Sequence, residues 1–189
     1  MTPLFTVHAG EYIVGEKIEK EFKGLNVWVP SKDTGIDLLI TNKNNTKTVS
    51  LQVKLSRDYS PLKAVTDFDR SLIVGGWCNL AHNKIAKSTA GYWVFVLVSH
   101  ERREQPQFIV IPLKELLKRL IANNHEKESA KYDFYPWVIK SKDSKVVTLD
   151  GRGLNREDKA ALAEGSFKLG NRDLSIFLDD WSALQKLQK

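Results

Sequence analysis

The chain has 189 residues, 42% hydrophobic and 28% charged, enough for one sizeable core in a globular protein. Lys and Arg exceed Asp and Glu by 29 − 23 = 6, a basic balance that favours nucleic acid or another anionic partner. The single cysteine, Cys78, excludes an intrachain disulfide and an all-cysteine zinc site. With no signal-peptide pattern and no segment of transmembrane length, a cytoplasmic protein without a membrane partner is expected.

GEYIVGEKIEKEFKG, from Gly10 to Gly24, repeats Val14, Ile18 and Phe22 every four residues, with lysines on the other face. That spacing predicts an amphipathic helix stopped by Gly24. Asn26–Val29 reads as a short strand ended by Pro30. GIDLLI, starting at Gly35, is a second strand, and TNKNNTK is a polar connection to an antiparallel third, TVSLQVK. In that third strand Val49, Leu51 and Val53 face one way, and Ser50, Gln52 and Lys54 the other.

From Ser60 to about Gly75 a helix is expected, although Val65, Thr66, Ile73 and Val74 weaken it. GGWCNLAHNKIAKSTAG then reads as a connector with a short helical piece. Tyr92–Val98 is almost wholly apolar and fits a central strand covered on both faces. Phe108–Ile111 is the next strand, and Pro112 opens a helix striped by Leu113, Leu116, Leu117 and Leu120. Later, YPWVIK and KVVTLD are candidate strands, the stretch from Gly151 to Asp173 is turn-rich, and Leu178–Leu187 a closing amphipathic helix. The order predicts one α/β domain over 1–189 with a mixed sheet: a core over 1–124 and an extension over 125–189 packed on it.

Asp37 lies within an apolar strand, where a carboxylate must be paired or sit at the open end of the sheet. Gln52 and Lys54 share a face of the following strand. If these strands pair, Asp37, Gln52 and Lys54 converge. Oxygen atoms of Asp37, Gln52 and the Val53 backbone then suit Mg²⁺. Lys54 is placed to orient water or stabilise charge at phosphorus.

In this order, Asp37 … Gln52-x-Lys54 resembles the PD-(D/E)XK nuclease superfamily of restriction, repair and junction-resolving endonucleases. Asp37 corresponds to the first metal-binding aspartate, Gln52 to the variable acidic position, and Lys54 to the catalytic lysine. Glu11 resembles the acidic residue that many members carry on the helix before the sheet. Two departures are visible: Gly35-Ile36, with no proline, precedes Asp37, and Gln52 replaces a carboxylate. The resemblance implies a restriction-endonuclease-like α/β core with a mixed central sheet flanked by helices. It also implies Mg²⁺-dependent hydrolysis of DNA phosphodiesters, with Mn²⁺ as a substitute. Catalytic Glu11, Asp37, Gln52 and Lys54 would be joined by the Val53 carbonyl at the metal. The DNA would be double-stranded or branched, and a homodimer would match its two strands. Ser56, Arg57, Arg102 and Arg103 are candidate nucleic-acid contacts. A catalytically inactive nucleic-acid-binding module and an RNA-cleaving enzyme are the alternative functions of such a core.

Overall fold

A computed structural model describes residues 8–31, 35–59, 61, 63–99, 105–124 and 131–189, and only the backbone of Arg57, Asp58 and Asn124. In chain order the elements are α1 (Ala9–Glu21), β1 (Leu25–Trp28), β2 (Leu38–Asn42), β3 (Thr48–Leu55), β4 (Arg57–Asp58), α2 (Asp67–Ser71), β5 (Leu72–Ala81) and α3 (His82–Ala86). They continue with β6 (Tyr92–Leu97), β7 (Gln107–Pro112), α4 (Leu113–Asn124), β8 (Lys131–Phe134), β9 (Pro136–Lys140), β10 (Val146–Asp150), α5 (Arg156–Glu164) and α6 (Ser182–Leu187).

The fold is α/β with a mixed central sheet flanked by helices. That sheet has the order β1-β2-β3-β6-β7; β3 and β6 run parallel and every other neighbouring pair antiparallel. A parallel pair needs a long crossover, and the intervening chain uses its length to start a second sheet, β10-β9-β5-β4, with β8 also on β5. Registers Gly75↔Trp137 and Cys78↔Phe134 align, so β8 and β9 run along β5 as one strand interrupted at Tyr135.

Burial explains the layering. In β6, Trp93, Phe95 and Leu97 pack toward the second sheet with Val74, Cys78, Leu80 and Phe134. Val94 and Val96 pack on the opposite face with Val14, Ile18 and Phe22 of the first helical stripe and with Trp181. Both faces are covered, which is why this strand reads as a continuous apolar run. The outer face of the second sheet forms a third core, where Phe68, Trp137 and Ile139 meet Leu162 of α5. A bulge between Leu72 and Val74 switches β5 from that outer core to the inner one.

Several elements differ from the sequence reading. Of the helix expected up to Gly75, only α2 is helical; Ser60 and Leu62 lie outside the described residues. The start of the Gly-Gly connector belongs instead to the ten-residue strand β5, and its short helical piece is α3. Its glycines reflect close approach rather than a turn: a Cβ on Gly76 would lie 2.7 Å from Ser56 Oγ and 2.8 Å from Leu97 Cδ2. The closing helix is shorter than expected, and Trp181 precedes it, wedged against Phe22 and Phe108 at centroid distances of 6.1 and 5.6 Å. Residues 131–150 pair within the second sheet, and α6 packs on the first. Among the described residues, no helix is long and apolar enough to cross a membrane.

One buried carboxylate ties the second half together. Asp150 is fully buried at the end of β10, where it accepts N–H groups from Tyr135 (3.2 Å), Arg152 (3.2 Å) and the Asn123 side chain (3.1 Å). Each donor left without a partner in the interior costs about 1–3 kcal/mol. Asp150→Ala is therefore expected to lower unfolding free energy by about 3 kcal/mol or more. Urea denaturation checks this, and a change below about 1 kcal/mol would contradict the network's role.

Candidate functional site

The β2–β3 ladder ends at Leu38↔Leu51. One residue earlier Asp37 still donates its backbone N–H to Leu51 O at 2.8 Å. The next rung is made by its side chain: Oδ2 accepts the Val53 backbone N–H at 2.7 Å. The Gln52 side-chain N–H₂ donates to the same oxygen, and Lys54 Nζ lies 4.0 Å from it. Asp37 thus sits just before its strand rather than at its centre, at the point where β2 parts from β3.

Strand geometry distributes the remaining groups. Val53 sends its N–H and C=O to one edge, so its carbonyl also points toward the side occupied by Asp37. Gln52 and Lys54 lie on the face opposite Leu51 and Val53, opposite Trp93 and Phe95 of β6. The Lys54 ammonium is 5.8 Å from the Trp93 ring centroid. Side-chain exposure is 40% for Lys54 and 14% for Asp37, so the ammonium reaches solvent while the carboxylate is mostly enclosed.

Glu11 arrives from the other face. Gly10 makes this possible: a Cβ there would be 3.1 Å from Leu55 Cβ and 3.3 Å from Leu55 N. The first turn of α1 therefore rests directly on the end of β3, with Glu11 only 8% exposed. Its carboxylate accepts the His8 backbone N–H at 3.2 Å. Burial pushes the Glu11 carboxyl above its ordinary value of 4.5, the His8 N–H opposes this, and the negative charge of Asp37 adds to the rise. Lys54 acts in the opposite direction, so all three charges share one field.

Asp37, Gln52, Val53 and Lys54 therefore meet, with Glu11 beside them. Their oxygens (two carboxylates, one backbone carbonyl and one amide) are the hard donors that Mg²⁺ or Mn²⁺ takes and that soft-metal sites lack. The donor set fits such a cation in kind, although Gln52 currently turns its nitrogen, not its oxygen, toward Asp37. Among the described residues, no three His, Cys, Asp or Glu side chains group as a metal cluster.

The other candidates fare differently. Ser56 is 8% exposed, its backbone N–H bonded to Val96 O at 3.0 Å and its Oγ directed at Gly76, so the structure does not bring it to the surface of the site. Arg102, Arg103 and the Arg57 side chain lie outside the described residues. Cys78 is buried and its thiol is pushed up to about 12 by loss of hydration, which makes it a core group and not a nucleophile. Sequence reasoning missed two supporting residues: Gly10, signalled only by its position at the helix start, and Trp93, whose place beneath Lys54 depends on strand register.

The Glu11 environment gives a stability prediction. A carboxyl raised in the folded state adds stability below its unfolded value, and that contribution is lost as pH rises through the folded value. Glu11→Gln carries no charge to desolvate. Without divalent cations it is expected to denature at higher urea than the parent at pH 7, the gap closing as pH falls toward 4.5. Parallel pH dependences would contradict the burial argument. Comparison with known proteins finds no matching family model, no matching curated protein and no matching solved structure.

Proposed function

We propose that the protein is a divalent-metal-dependent endonuclease that hydrolyses DNA phosphodiesters on a restriction-endonuclease-like core. The observation that carries this reading is the meeting at one Asp37 oxygen of the Val53 N–H, the Gln52 amide and, at 4.0 Å, the Lys54 ammonium. The formal charge of +6 is the favourable sign for a polyanionic substrate.

In this reading Asp37, the Val53 carbonyl and Glu11 would hold the cation, directly or through water, and the Gln52 amide oxygen would be a further ligand. A cation bound there supplies charge neutralisation at the scissile phosphate and an acidified water. The Val53 N–H fixes the Asp37 carboxylate so that it does not reorganise during the reaction. Lys54, held over Trp93 with its ammonium in solvent, donates to a phosphate oxygen and stabilises the charge that develops at phosphorus.

A second reading is favoured by one observation: Gln52 places N–H₂ where an acidic residue would place an oxygen. It describes an inactive nucleic-acid-binding module on the same core.

Incubation with plasmid, linear duplex, branched DNA and RNA, in Mg²⁺ or Mn²⁺, tests these readings. Metal-dependent DNA products are expected, and Asp37→Ala and Lys54→Ala should each slow their formation about 100-fold or more. Undiminished cleavage by Asp37→Ala would defeat the mechanism. Binding without cleavage in every metal would favour the inactive module, and selective loss of the RNA would reassign the substrate.

A further inference from the structure

Away from this centre, the second sheet carries a concavity of about 260 Å³ between Tyr59 and Tyr135 and the loop from Gly151 to Leu154. Its floor is the buried Trp137 ring, 5% exposed, and its wall includes Asp133. Arg152 and Lys159 supply its positive charge. Part of the turn-rich stretch from Gly151 to Asp173 thus folds around aromatic rings instead of lying on an open surface.

The concavity is held in shape by contacts of the surrounding backbone and rings. Gly151 lies flat on Trp137, so closely that any Cβ would overlap the indole, and its N–H donates to Tyr135 O at 2.8 Å. Buried Asp150 fixes the N–H groups of Tyr135 and Arg152 on either side. Gly153, at φ +68°, turns the loop back. Tyr59 is anchored by its N–H to Gly75 O at 2.8 Å, and its ring meets Tyr135 edge-on with centroids 5.4 Å apart. Tyr59 is nevertheless 54% exposed, so its ring remains available to a ligand.

Ligand chemistry follows from these walls. The volume lies below the roughly 300 Å³ at which drug-sized ligand pockets begin, which limits the occupant to about one planar ring system. Cationic ligands are disfavoured, because Lys159 already lies 5.5 Å from the Trp137 centroid and Arg152 adds a second charge. A flat ring that carries an anion matches both features: the ring stacks on a tyrosine and the anion pairs with Arg152 or Lys159. Asp133, which accepts the Asn79 amide at 2.8 Å, offers acceptor capacity to a ring N–H. Tyr59 follows Lys54 by five residues in the chain, so their Cα atoms are at most about 18 Å apart.

We infer that this concavity receives one unstacked nucleobase, with its phosphate on Arg152 and Lys159. Resting on the nuclease reading, this makes the substrate a strand with at least one unpaired nucleotide near the cut, as in single-stranded segments, flaps and branches. A fully paired duplex would have to extrude a base to fill the site.

Fluorescence anisotropy in EDTA tests the inference without cleavage, using a labelled eight-nucleotide thymidine strand and an abasic strand of equal length. The parent and Asp37→Ala should bind the base-bearing strand about tenfold more tightly than the abasic one. Tyr135→Ala should abolish that preference, Tyr135→Phe should keep it, and Arg152→Glu should weaken both strands about tenfold. Equal binding of the two strands by the parent would overturn the inference, as would an unchanged preference in Tyr135→Ala. Cleavage without the base preference defeats this site alone; the preference without cleavage defeats the nuclease reading alone.

Discussion

The architecture around the site depends on one substitution in a hydrogen-bond ladder: a carboxylate takes over from a strand. Where β2 leaves β3, the Val53 N–H would face a gap, and an unpaired buried N–H is costly. Asp37 fills that place with Oδ2 at 2.7 Å. The same atom then gathers the Gln52 amide and faces Lys54. Splitting two strands thus exposes main-chain polar groups, and a fixed negative charge both satisfies them and remains at the mouth of the split.

Charge and packing pull against each other here. Glu11 is buried by the tight seating of Gly10 on Leu55, in a position that raises its carboxyl above the ordinary range. Its carboxylate also caps the first turn of α1 by accepting the His8 N–H, while Val14 and Ile18 anchor the helix. Burial and the neighbouring Asp37 disfavour the charged form of this carboxyl, and the proposed cation would offset both effects. The second sheet contributes the backing: β5 lies against the face from which Gln52 and Lys54 emerge, and the buried Trp93 and Phe95 exclude water from beneath them.

Much of the first sheet was legible because its signals are local. Alternation placed Gln52 and Lys54 on one face, the four-residue repeat placed Val14 and Ile18 inward, and a two-sided apolar run marked β6. The second sheet was largely illegible because its signals are tertiary. Gly75-Gly76 resembles a turn in sequence, yet it is strand, because Ser56 and Leu97 pass too close for side chains. Tyr132 is fully buried in β8 although charged residues surround it in sequence. The five-residue α2 owes its start to Thr66, whose hydroxyl accepts the Asp69 N–H at 3.2 Å; its end is imposed by the entry of Leu72 into the sheet. For the site, residue types and order were readable, but the Asp37 position at a ladder's end and the Gln52 orientation were not, because both depend on where two strands separate.

Paramagnetic broadening of backbone amide signals by sub-stoichiometric Mn²⁺ reports whether a cation binds where β2 parts from β3. The amides of Asp37, Leu38, Gln52 and Val53 are expected to broaden first, together with Glu11, and Asp37→Ala to protect them all. Broadening confined to exposed carboxylates such as Glu16 and Glu19, with the Val53 amide untouched at equal Mn²⁺, would contradict it.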